Sequence, residues 1–171
     1  MPKRLDLRND FEEVYGYVVE RGKSFDPTTT DGPGDTGPVT CIDFGFGFEQ
    51  SGWAALVFDT RPDARPDGAW NHYIKGNDLK RPQWSAVSKT NRDESVMFVL
   101  PDGTVREVPQ SSRDDFAADL GDLLKSVLLK ARADGVFDTL PKASRCELGV
   151  EEQEGGYGWP AYGDRGKENF V

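Results

Sequence analysis

His72 is the sole histidine of the 171-residue chain, so any proton transfer near neutral pH would run through one imidazole, and a histidine-rich metal site is excluded. A thiol–imidazole pair would need His72 beside Cys41 or Cys146, the two cysteines present. Neither cysteine lies in the glycine-rich strand-to-helix turn that exposes and activates a nucleophile, and both read as small buried apolar residues. Asp59, Asp63 and Asp67 recur every fourth residue ahead of Gly68, and Asp31 and Asp35 flank Gly32 and Gly34; oxygen-rich loops of this kind hold calcium. The spacing of a calcium loop with its closing Glu is missing, and Arg61 and Arg65 would repel a cation. Gly45 and Gly47 alternate within an apolar run and are not placed at a helix start, so they form no phosphate cradle. The expectation is therefore no catalytic residue, no metal and no cofactor.

Recognition is the chemistry that these residue types can still perform. Trp53, Trp70, Tyr73 and Trp84 supply large amphipathic rings of the kind that anchor interfaces, and Asp59, Asp63, Asp67 and His72 are interleaved with them. This set is the candidate binding surface; Glu147, Glu151, Glu152 and Glu154 form a second acidic group. A net charge of −9 repels nucleic acid and anionic membranes and favours a protein partner with a basic surface. The rival reading is a small hydrolase or ligand-binding enzyme built on His72 and the tryptophan-lined loop.

The elements that must position these residues follow from periodicity. Phe116, Leu120, Leu123, Leu124, Val127, Leu128 and Ala131 recur at steps of three and four, which predicts a long helix from Ser112 to Asp134 with Gly135 as its stop. Asn9 to about Arg21 reads as a shorter helix with Phe11, Val14, Tyr15 and Val18 on one face, weakened by Gly16 and closed by Gly22. Val39 to Phe48 alternates strictly, with Ile42, Phe44, Phe46 and Phe48 on one side and Cys41, Asp43, Gly45 and Gly47 on the other. Trp53 to Asp59 returns as its hairpin partner, and a second hairpin turns at Pro101-Asp102-Gly103. Arg145 to Val150 reads as a last strand.

Residues 24–38, with three Pro, three Gly and four Thr, read as a mobile loop, and 154–171 as an irregular tail rich in Gly and aromatic residues. The length fits one domain over 1–171, and 4 Trp, 5 Tyr and 10 Phe concentrate burial in large rings despite a hydrophobic content of 36%. The opening MPKRLDLRND has no apolar signal core, and no run approaches the roughly 20 apolar residues of a membrane helix, so a cytoplasmic location is expected. The fold class is α+β: a mainly antiparallel sheet of about four to six strands, with an N-terminal helix and a long late helix packed on one face.

Gly52-Trp53, Phe58-Asp59, Trp70 and Trp84, followed by the helix ending Ala133-Asp134-Gly135-Val136-Phe137, resemble small acidic bacterial proteins of unknown function found among toxin-immunity families. The likeness spans roughly residues 7–150. It implies a non-enzymatic protein that neutralises a cognate toxin by covering its active site, and it carries no catalytic residue over to this chain.

Overall fold

Asp6 begins the first helix by accepting a hydrogen bond from the Arg8 amide at 3.1 Å, so one of the amides left open at a helix start is satisfied. A computed structural model of the chain describes residues 3–26, 37–47, 53–61, 79, 84, 96–108, 113–153 and 157–159. Strand β1 (Lys3–Asp6) runs directly into helix α1 (Leu7–Lys23), which ends where the Ser24 amide donates to Glu20 O at 3.0 Å. Asn9, the expected start of this helix, lies inside α1, because β1 runs straight into the helix and its last residue, Asp6, takes the capping role. Gly22 is likewise inside the helix, buried against Val136.

Strands β2 (Val39–Gly47) and β3 (Trp53–Asp59) pair antiparallel as the alternation predicts, with Phe44 opposite Leu56. Strands β4 (Val96–Val99) and β5 (Val105–Val108) form the second hairpin, its turn fixed by Gly103 at φ 86° and by the Thr104 amide donating to the Asp102 carboxylate at 2.8 Å. Helix α2 (Arg113–Ala133) carries the expected stripe: Phe116, Leu120, Leu123, Leu124, Val127, Leu128 and Ala131 are all buried. Gly135 stops the chain beyond it at φ 73°. Ser112, the expected first residue of this helix, lies outside the described residues. Strand β6 (Lys142–Glu152) is longer than the expected 145–150, and β7 (Gly158–Trp159) closes the described chain.

The architecture is α+β, but its strands form two sheets, ordered β1-β4-β5 and β3-β2-β6-β7, and both are mixed. The expected mainly antiparallel sheet is thereby corrected: β1 runs parallel to β4, and β6 runs parallel to β2. Hairpin logic sees only strands adjacent in sequence. Parallel neighbours need a long crossover, and here α1 separates β1 from β4 while α2 separates β2 from β6. Beside Val39 and Cys41 the register on β6 jumps from Lys142 to Glu147, a bulge that leaves Ser144 and Arg145 exposed.

One hydrophobic cluster unites Ile42, Phe44, Phe46, Leu56 and Phe58 of the larger sheet with the buried faces of both helices. Phe98 of β4 stacks on Phe116 of α2 with ring centres 4.3 Å apart, which ties the smaller sheet into the same core. The outer edge of β3 is occupied: the Leu56 amide donates to the Tyr17 hydroxyl at 3.0 Å, and Ala54 O accepts from the Leu79 amide at 2.9 Å. Among the described residues no helix is long and apolar enough to cross a membrane.

Candidate functional site

Side-chain alternation sends Ile42, Phe44 and Phe46 toward the helices, and leaves Cys41, Asp43, Gly45 and Gly47 on the second face of the sheet. Pairing then composes that face. Cys41 lies between Asp59 and Glu147, Asp43 between Val57 and Gly149, Gly45 between Ala55 and Glu151, and Gly47 opposite Trp53. Three carboxylates thus share one end of the face with one thiol, and small residues lead from there to an indole at the other. Asp43, Asp59 and Glu147 are 0%, 2% and 6% exposed, so this end is acidic and dry.

Burial of charge on this scale requires compensation. Asp59 has it from Arg61, whose backbone amide donates at 2.9 Å and whose guanidinium contacts both carboxylate oxygens. The Arg145 guanidinium lies 3.5 Å from Glu147. Thr40 donates its hydroxyl toward Arg61 O at 2.7 Å and holds the end of β3 in place. The thiol responds to the same field. Burial, followed by the neighbouring Asp43 carboxylate, pushes Cys41 well above the ordinary range. Cys146 is pushed up to about 12 by burial, and it faces the helix side of the sheet, in the main core cluster. Both groups are therefore held as thiols at neutral pH, which is the opposite of nucleophile activation. They sit on neighbouring strands with side chains on opposite faces and are not bonded to each other. Among the described residues no three His, Cys, Asp or Glu side chains converge as a metal-holding group.

The candidate binding residues divide. Trp53 and Asp59 lie on one strand and one face, at its two ends: Trp53 is half-buried, whereas Asp59 is buried in its pair with Arg61. Trp84 is fully buried in the main core cluster, and its indole N–H has no acceptor among the described residues. Asp63, Asp67, Trp70, His72 and Tyr73 lie outside the described residues. In the second acidic group, Glu147 and Glu152 are buried and Glu151 is half-buried, so these three carboxylates do not form an exposed face, and Glu154 lies outside the described residues.

Sequence reasoning passed over a different surface, the outer side of α1. Asn9, Glu12, Glu13, Gly16 and Glu20 are exposed there, and a Cβ built at Gly16 would meet no described residue within 4 Å. Glu13, Gly16 and Glu20 are spaced by three and four residues and fall on one side of the helix. That spacing was readable, but a glycine in a helix reads as a weakness until its surroundings are known.

No protein-family model matches the chain, and neither does any curated protein or any solved structure.

Proposed function

We propose that the protein is a non-catalytic binding module whose acidic surface meets a basic protein partner, with immunity to a toxin as the most specific form of that role. The observation that carries this reading is Gly16. A glycine inside a helix gives up about 1 kcal/mol relative to alanine, and here the position is exposed with no described residue over it. A missing side chain that the fold does not use admits close approach by a partner's backbone. Glu12, Glu13 and Glu20 around it, in a chain of net charge −9, select a basic one. The raised thiols of Cys41 and Cys146 support the non-catalytic half of the reading.

The test is titration calorimetry against the basic proteins encoded by adjoining reading frames. A stoichiometric complex is expected, weakened by salt, weakened about tenfold or more by the double substitution Glu13→Lys and Glu20→Lys, and lost in Gly16→Leu with the circular dichroism unchanged. A turnover that disappears in folded His72→Ala, with no complex found, would replace this reading by the enzymatic one.

A further inference from the structure

Gly121 stands in mid-α2, where a glycine weakens a helix, and unlike Gly16 its missing side chain is used within the chain. A Cβ built there would clash with the ring of Tyr157. The tyrosine is seated in this notch by two further contacts, and its neighbour Trp159 by one. Its hydroxyl donates to Asp122 at 2.8 Å, its ring lies 6.4 Å from that of Phe46, and Lys125 sits 5.0 Å over the ring of the nearby Trp159. By contrast, the strand that follows is minimal. β7 pairs with β6 through two positions, Val150 with Trp159 and Glu151 with Gly158, and Gly158 is exposed, with no described residue within 4 Å of a Cβ built on it.

A two-residue strand has too little backbone pairing to hold itself, so its position depends on the side chains that grip α2. We infer that residues 157–159 form a latch, which opens and closes on the Gly121 notch while the two helices and strands β2, β3 and β6 stay folded. Opening withdraws Trp159, 8% exposed in the main core cluster, and Tyr157, packed against that cluster; among the described residues the backbone pairing it breaks is only the two positions of β7 at the edge of the sheet, which is the kind of short contact that opens locally. It uncovers the backbone edge of β6 at Val150 and Glu151, together with the notch itself.

Two adjacent amides report on the latch separately. The Glu152 amide donates to Tyr157 O at 2.9 Å and belongs to it; the Gln153 amide donates to Phe46 O at 2.9 Å and belongs to the sheet. Residue-resolved hydrogen exchange on the full chain distinguishes them. In the wild type, Glu152 should exchange through an opening insensitive to low urea, and Gln153 through one that urea promotes. In Gly121→Ala, protection at Glu152 should fall about tenfold or more, while Gln153 and the amides of β2 and β3 keep theirs. Should Gly121→Ala fail to fold, Tyr157→Ala removes the same contact without adding a Cβ to α2 and should give the same split. Equal protection and equal urea dependence at Glu152 and Gln153 in the wild type would show one cooperative unit and overturn the latch. Unchanged protection at Glu152 in the folded variant would do so too.

Discussion

The hydroxyl of Tyr15 donates to the carboxylate of Asp134, 119 positions further along the chain, and joins the middle of α1 to the end of α2. Lys130 completes the contact, with its ammonium 2.6 Å from the same carboxylate and 4.8 Å from the centre of the Tyr15 ring. The hydrogen bond from Lys130, then that from Tyr15, hold Asp134 below the ordinary carboxylate range. A depressed value in the folded state means that the contribution to stability is present above the unfolded value near about 3.9 and is lost as pH falls through the folded one. Carboxyl NMR titration should therefore place Asp134 below an unperturbed aspartate in the native protein. Tyr15→Phe should move it part of the way back, and Lys130→Met further. Asp6 provides a second case, at about 2 through its hydrogen bond with Arg8, and Arg8→Ala should return it toward the ordinary value. An Asp134 midpoint unmoved by both substitutions would mean that this contact does not persist in solution.

The two mid-helix glycines should respond to alanine with opposite signs. Gly16→Ala adds a methyl into open solvent and gains helix propensity, so the midpoint of urea unfolding should rise by the equivalent of about 0.5–1 kcal/mol. Gly121→Ala gains the same propensity but must expel the Tyr157 ring, and its midpoint should rise less or fall. Two equal increases would show that the notch on α2 is not filled.

Different parts of this structure were legible to different degrees because their causes act over different ranges. The stripe from Phe116 to Ala131 and the turn at Asp102-Gly103 are written within a few residues, and both are found as expected. The pairing of β1 with β4 joins Lys3 to Val96, and no local pattern encodes it. Asp59 looked like an exposed anion in a run of aspartates. It is buried because Arg61, two residues on, folds back and neutralises it, a pairing that composition leaves as one choice among several arginines. For Trp84, a ring of that size suits a core filler as well as a surface anchor, and packing decides for the core. Gly121 was invisible as a feature until Tyr157, far along the chain, was seen in the space above it.

Both cysteines should resist alkylation in the native state. Cys41 and Cys146 are 1% and 0% exposed and are held as thiols, the first by burial and Asp43, the second by burial. Iodoacetamide at neutral pH should label neither within the time that labels both in urea, with mass spectrometry as the readout. Because the side chains lie on opposite faces of the sheet, oxidation should yield no internal disulfide. Rapid single labelling of the native chain would reveal an open second face and revive a nucleophilic role for Cys41.

The strongest test of the core compares two apolar residues in opposite surroundings. Leu124 is fully buried on the face of α2 that packs in the main cluster, and Val105 on β5 is 48% exposed. Truncating a buried leucine loses its transfer free energy and leaves a cavity that neighbours fill only in part, so Leu124→Ala should cost about 2–5 kcal/mol. Val105→Ala gives up surface already in contact with water and should stay within about 0.5 kcal/mol of the wild type. Urea unfolding of both variants, compared at equal slope, separates loss of packing from a change in the unfolded state. If Leu124→Ala cost no more than Val105→Ala, the helix would be presenting another face to the sheet. The notch at Gly121, one helical turn earlier, would then have to be moved with it.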